Sequence, residues 1–549
     1  MISQKLEKVL SKVQKPARYS GGEYNQIIKD KQNVNVRVAF CFPDTYEIGM
    51  SNLGLKILYG ALNNIDDVWC ERVFAPWTDM EHEMRENAIP LYGLESYDSI
   101  RDFDIVAFTI GYELSYTNVL NMLDLAGIPL RSADREEDGP LVIAGGACSY
   151  NPEPMAEFID LFVVGEGEDV VVELVDTFKS TDSKKAFLEA ASELHGVYVP
   201  SLYDQGITYV KKRIVEDLDS AYFPVDSIIP STSIVHDRSV LELFRGCIRG
   251  CKFCMAGYTG NPVRSRSPDL LTKQGIAAIS NSGYDELALL SLSTSDYKHL
   301  SELCDGLLEW CEPRKVNLSL PSLRADNFSI ELMERVQKVR KSGLTFAPEA
   351  GSQRLRDYIN KNIKEDDLIN ACRVAFEGGW NSVKLYFMLG LPTETDEDVT
   401  AIADLAHTVL QTWRDFTNNK KRGVRITVST SCFIPKPHTP FQREAQIPID
   451  EYSRRVELLR SSIRAKSITY NWHSPQQGYI EAALSRGDRQ LGNVVEAVWK
   501  MGARMDSWSD HFSYEKWIAA FDECSTDAEH YASRKRGVDE KLPWEFIQI

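Results

Sequence analysis

Three closely spaced cysteines are the residues of this 549-residue chain that most clearly imply chemistry. They lie in Leu243-Phe-Arg-Gly-Cys247-Ile-Arg-Gly-Cys251-Lys-Phe-Cys254, a Cys-x3-Cys-x2-Cys pattern on a glycine-containing loop directly after a strand. Thiolates are the usual ligands of [4Fe-4S] clusters, which ordinarily take four. Three close ligands leave one iron open to a small chelating molecule. Gly246 and Gly250 let the backbone wrap close to such a cluster, and the ring of Phe253 can line an adjoining aromatic pocket. A zinc site would usually show four ligands, commonly as two pairs, and no fourth Cys or His follows nearby. The other eight cysteines (Cys41, Cys70, Cys148, Cys304, Cys311, Cys372, Cys432, Cys524) are scattered through apolar or helical sequence and read as small packed hydrophobes.

The elements that must position this loop form a second strand–helix series. It begins at Ser239-Val-Leu-Glu-Leu-Phe and continues through strands in LALLSLST, KVNLSLPS, GLTFAPEAGS, SVKLYFMLGLP and ITVSTSCFIP. Six such units predict a partial (β/α)6, TIM-like barrel over residues 237–448. Before it, residues 33–180 alternate short, wholly apolar strands with helices, which predicts an open parallel sheet, a Rossmann-like domain. Ligands of such sheets sit beyond the carboxyl ends of the strands. Residues 1–32 read as a helical segment, 181–236 as a connector and 449–549 as a C-terminal helical region. The class is α/β throughout. The apolar end, PWEFIQI, reads as a fragment boundary.

A net charge of -18 repels nucleic acid on average, so a nucleic-acid partner is not supported. The basic runs Lys420, Lys421, Arg422, Arg425 and Arg454, Arg455 read as a solvated loop and a helix face. No stretch has the length of apolar residues a membrane helix needs, and the amino-terminal sequence lacks a signal-peptide core, so the expected location is cytoplasmic. His473 and His511 lie in polar loops and read as surface or interdomain histidines.

The cysteine loop resembles the motif of the radical S-adenosylmethionine (SAM) superfamily, and the later strands match that family in order. Gly390-Leu-Pro392-Thr-Glu394-Thr resembles the turn after its fifth barrel strand, Phe433-Ile-Pro435-Lys-Pro437-His-Thr439-Pro440 the segment after its sixth, and Glu349-Ala-Gly351-Ser352 the element after its fourth. The resemblance implies that the open iron chelates the amino and carboxylate groups of SAM. It makes Ser319, Arg324 and Glu349 candidates for SAM polar groups, has Gly390 and Pro392 shape the pocket, and sets Phe253 by the adenine. Ser293-Thr-Ser-Asp296 stands where the family usually has G-G-E, which makes Ser293 the candidate there. A flavodoxin or ferredoxin is the implied reductant.

A Rossmann-like domain before such a barrel resembles the cobalamin-binding branch of the superfamily. Asp44-Thr-Tyr46-Glu-Ile-Gly49 matches its D-x-H-x-x-G, with tyrosine in place of the histidine that ligates cobalt. A phenol with a pKa of ~10 is a poor neutral ligand. By the same resemblance Ser115, Thr117, Gly145, Gly146 and Glu166 would meet the corrin or its nucleotide tail. The family reading implies SAM cleavage and cobalamin-dependent methyl transfer to an unreactive carbon of an unknown substrate. The alternatives are rearrangement or methylthiolation without cobalamin, or a binding protein that keeps a cluster for structure.

Overall fold

Val36–Phe42 (β1), buried along nearly its whole length, runs through the middle of a sheet, as a central parallel strand must. Val68–Phe74 (β2), Ile105–Thr109 (β3), Leu141–Gly145 (β4) and Leu161–Val163 (β5) run parallel with it, and Val197–Tyr198 (β6) is antiparallel at the edge. The order is β2-β1-β3-β4-β5-β6, which reverses direction between β1 and β3 and puts the topological switch point there. The structure, a computed structural model, describes residues 4–203, 209–321, 324, 336, 344–418, 421 and 423–549. Lys420 and Arg422 therefore lie outside the described residues.

β2 went unread in the sequence because Glu71 and Arg72 interrupt its apolar run. Both are fully buried. Arg72 donates from Nε to Glu95 Oε1 at 2.7 Å and from Nη2 to Glu23 Oε2 at 2.9 Å, while Glu71 pairs with Arg37 at 2.5 Å. A strand can carry charge through a core only where each charge is paired and hydrogen-bonded.

The residues divide into two compact units. One comprises 1–237, 483–531 and 541–549, so the expected connector belongs with the first sheet. Within it Val210–Lys211 (β7) pairs in parallel with Ile547–Gln548 (β17). The other comprises 238–482 and 532–540. In it Ser239–Glu242 (β8), Glu286–Leu290 (β11) and Asn317–Ser319 (β12) form one parallel sheet. The hairpin of Phe244–Arg245 (β9) and Arg264–Ser265 (β10) follows β8. Leu344–Glu349 (β13), Ser382–Leu389 (β14), Arg425–Cys432 (β15) and Ile468–Trp472 (β16) form a second parallel sheet.

The six expected strands are present, and β16, like the two-residue β17, adds a short strand to a C-terminal region that is otherwise helical as expected. Only Ile468 of its five residues is buried, so Ile-Thr-Tyr-Asn-Trp carries little periodic signal. One face of β13 to β15 packs Phe346, Leu385, Phe387 and Val428 against helices. Thr345, Lys384 and Tyr386 alternate onto the other face and are exposed. The helix Asp396–Phe416 starts in a capping box, with Thr395 and Asp398 satisfying each other's backbone. Among the described residues no helix is long and apolar enough to cross a membrane.

Candidate functional site

The β9–β10 hairpin closes a loop, residues 246–263, that carries all three cysteines. Gly246 has φ 87°, and a Cβ there would come within 3.0 Å of Asn261 Oδ1 and of the Gly260 and Pro262 carbonyl oxygens. Only glycine fits so close an approach. The Cys247 N–H donates to Asn261 Oδ1 at 3.1 Å. Asn360 Nδ2 donates to the carbonyls of Gly250 at 2.8 Å and Arg249 at 3.1 Å, and the Lys252 N–H donates to the Ile359 carbonyl at 3.0 Å. The helix Met255–Thr259 starts directly after Cys254. The loop is thus shaped by its own far end and by the segment following β13.

All three thiols are free and partly exposed. Burial pushes those of Cys251 and Cys254 up, while the nearby Lys361 ammonium pulls both back. Among the described residues no three His, Cys, Asp or Glu side chains converge as a single metal ion requires. A [4Fe-4S] cluster makes no such demand, because each thiolate takes a different iron. The residues present fit that group.

Polar side chains gather around the strand ends. Arg249 Nε donates to Asp296 Oδ2 at 2.7 Å, and the Ser293 hydroxyl donates to the same oxygen at 2.7 Å. Burial would raise Asp296, but these two donors outweigh it and hold the carboxylate below its ordinary range. Ser293 is thereby committed to Asp296, whose side chain is only 9% exposed. The Arg324 N–H donates to Ser295 Oγ at 3.3 Å and its guanidinium to the Lys361 carbonyl at 3.1 Å. Lys361 Nζ pairs with Glu349 at 3.0 Å, where Glu349 holds φ 67° at the bulged end of β13. Ser319 ends β12 and is buried.

Phe253 packs beside Met388, Leu391 and Phe433, an apolar cluster at the ends of β14 and β15. The Gly390 N–H donates to Glu394 Oε2 at 2.7 Å, and Arg455 reaches the same oxygen at 2.5 Å. Burial pushes Glu394 up to about 7 against those two donors. Pro392 is partly exposed in that turn. Arg454 and Arg455 pair with Glu451, Asp396 and Glu394, so this basic pair is spent within the unit. His473 is exposed at the end of β16, and His511 stacks edge-on against Trp77 at 4.7 Å.

Asn261, Asn360, Lys361 and Asp296 are the site residues sequence reading missed. Single asparagines and lysines in loops carry no pattern; Asp296 alone had a signal, as the only acid in the stretch replacing G-G-E. Asn360 is testable in isolation. It holds φ 57°, which glycine tolerates, so Asn360→Gly removes the two loop hydrogen bonds without backbone strain. The cluster should then be lost to a chelator roughly tenfold faster, read from the decay of its visible absorbance.

Residues 241–406 match the family described as the radical SAM superfamily, and residues 54–200 match the one described as radical SAM proteins, N-terminal. The uncharacterized protein MJ0966 of Methanocaldococcus jannaschii is 30% identical over 468 residues, covering 84% of this chain and 90% of its own. The chain belongs to the radical SAM superfamily. Two solved radical SAM structures share its fold at 14% identity. The cobalamin-dependent enzyme OxsB has a TM-score of 0.54 over 88% of this chain and 72% of its own. The methyltransferase TsrM of Kitasatospora setae has a TM-score of 0.52 over 74% of this chain and 77% of its own. The Rossmann-like sheet and the parallel-stranded radical SAM unit are thus a fold that this chain shares with those two structures.

The residues expected to meet a corrin are engaged within this radical SAM chain itself. Tyr46 does not face a ligand space, which corrects its assignment to the cobalt side. It is 1% exposed, donates its hydroxyl to Glu23 Oε1 at 2.9 Å and packs edge-on to Phe74. A Cβ on Gly49 would lie 2.3 Å from that Phe74 ring. Ser115 donates to the Tyr112 carbonyl at 2.6 Å, and Glu166 accepts from the Val215 N–H at 2.6 Å. Gly146, at φ 99°, lets the chain pass where a Cβ would be 2.6 Å from the Ile110 carbonyl oxygen, whereas Gly145 has ordinary room. Asp44 and Thr117 are held by residues 506–508. As placed, these residues do not fit a corrin.

Burial raises Asp506 to about 6, with donors including Thr117 pulling it back. A carboxyl whose folded pKa is raised contributes stability at low pH that is lost as pH rises through that value. Asp506→Asn, neutral at every pH, should therefore gain on the parent chain between pH 5 and 8, by on the order of 1–3 kcal/mol in denaturant melts.

Proposed function

We propose that this radical SAM enzyme holds a [4Fe-4S] cluster on Cys247, Cys251 and Cys254, binds SAM at the open iron and removes a hydrogen atom from an unreactive substrate carbon. The observation that carries this reading is the three-thiol loop, closed by the β9–β10 hairpin and anchored by Asn261 and Asn360. Those three thiolates would hold the cluster, which would supply the single electron for reductive cleavage of SAM at its S–C5′ bond, giving methionine and a 5′-deoxyadenosyl radical able to take the substrate hydrogen.

The chain's own part is to bind and orient. Asp296, kept ionised by Arg249 and Ser293, suits the SAM ammonium. Arg324 and Lys361 supply positive charge for its carboxylate, with Ser319 and Glu349 beside them. Phe253 and its apolar neighbours offer a surface for adenine, and the Gly390–Pro392 turn a wall. The exposed face of β13 and β14, with Thr345, Lys384 and Tyr386, offers hydrogen-bonding groups to a polar substrate. A flavodoxin or ferredoxin would supply the electron.

The test is 5′-deoxyadenosine formation by protein reconstituted anaerobically with iron and sulfide and given SAM and a reductant. We expect about one equivalent without substrate and more with it. Full cluster occupancy without any 5′-deoxyadenosine would reject the reading. The fold shared with OxsB and TsrM favours a second reading, in which the removed hydrogen is replaced by a methyl group from cobalamin. The residues of the N-terminal unit, as placed, do not fit that cofactor.

A further inference from the structure

The switch point of the first sheet, between the carboxyl ends of β1 and β3, is where an open α/β sheet receives its ligand. In this chain a segment some 390 residues further on is seated there. Trp508 Nε1 donates to Asp44 Oδ1 at 2.9 Å and the Ser507 hydroxyl to Asp44 Oδ2 at 3.0 Å, just past β1. The Met505 N–H donates to Asn118 Oδ1 at 2.9 Å, and Asn118 Nδ2 in turn donates to the Pro43 carbonyl at 2.9 Å. Thr117, in the helix Tyr116–Leu125 after β3, donates to Asp506 Oδ2 at 2.7 Å. The Trp508 ring stands edge-on to Trp77 at 5.2 Å. Thr117 and Asp506 are completely buried, and Asn118 and Met505 nearly so. The contacts fall on the segments that follow both strands flanking the switch point. This is a specific plug in the crevice.

We propose that the strap 505–508 and a corrin are alternative occupants of this one crevice, the strapped form being the resting state of the N-terminal unit. Asp44 then has two uses. It anchors the strap through an indole N–H and a hydroxyl, and it faces a ligand only once both donors have left. The proposal concerns the N-terminal unit alone and is independent of the cluster chemistry, so either can fail without the other.

The test uses the full-length protein, hydroxocobalamin as probe, gel filtration with visible absorbance to count retained corrin, and hydrogen exchange over the strap. The parent chain should retain little corrin. Any it takes up at high concentration should come with loss of strap protection. Ser507→Ala with Trp508→Ala removes both donors to Asp44 and the ring contact, and should raise retention at least tenfold, since each lost hydrogen bond weighs about fivefold. Trp508→Phe, which keeps a ring against Trp77, should move the same way by a smaller factor and stands in if the double variant melts early. Stoichiometric corrin on a parent chain whose strap stays protected would overturn the proposal. So would a folded variant with a freely exchanging strap that retains no more corrin than the parent.

Discussion

Alanine at Cys251 is expected to abolish 5′-deoxyadenosine formation while leaving the fold intact. The cysteine pattern supplies three thiolates for four irons, so the cluster begins one ligand short. A second missing ligand leaves two irons without a protein thiolate. Changes in the surroundings of a metal ligand already cost 10–100-fold, and loss of the ligand should exceed about 100-fold in SAM cleavage. Iron content per chain should fall with it. Cys372→Ala is the matched control. That thiol is fully buried among Phe376, Val383 and Leu385, and burial pushes it up to about 12, so it is inert packing. Its loss should leave iron content and SAM cleavage unchanged within error. Equal loss in both variants would mean the loop does not hold the cluster.

The largest effect on stability is expected at Arg72. Its guanidinium is fully buried and bonded to both oxygens of Glu23 and to Glu95, while its own N–H also donates to Glu95. Burial raises Glu95 to about 7 even against the neighbouring charge and hydrogen bonds of Arg72, which pull it down. Arg72→Met fills the space but strands two buried carboxylates, at a cost of about 3–5 kcal/mol in denaturant melts of the N-terminal unit. The deficit should be greatest near pH 8 and shrink toward pH 5, as the stranded carboxyls take up protons. Replacing Arg72, Glu23 and Glu95 together by apolar residues should restore much of the loss. A triple variant no better than the single one would show that the ions matter for more than mutual neutralisation.

What the sequence disclosed and what it concealed divide along physical lines. The chelating loop is local: three thiols within eight residues must point at one object, and strand-helix alternation is equally local. β2 was hidden because the partners that make Glu71 and Arg72 tolerable in a core come from β1, from Glu95 beyond the helix Thr78–Glu86 and from Glu23. β16 was hidden because an edge strand with one buried residue has no period to read. Asn360 and Lys361 reach the site across more than a hundred residues, and Trp508 reaches Asp44 across 464. The D-x-Y-x-x-G stretch shows the cost of reading spacing alone. Its three positions keep the expected interval while Asp44, Tyr46 and Gly49 serve a strap, a carboxylate and a phenylalanine ring.

The pairing of β7 with β17 sets an order on synthesis. Val210–Lys211 leaves the ribosome long before Ile547–Gln548, and the strap also arrives late, so the first sheet to be made is the last to be finished. Domains commonly fold as units while the chain is still growing. Here residues 238–482, with the cysteine loop, are all translated before the amino-terminal unit has its closing pieces. A nascent chain stalled near residue 500 would therefore carry every cluster ligand while its amino-terminal unit was incomplete, open at the switch point to whatever reaches it first.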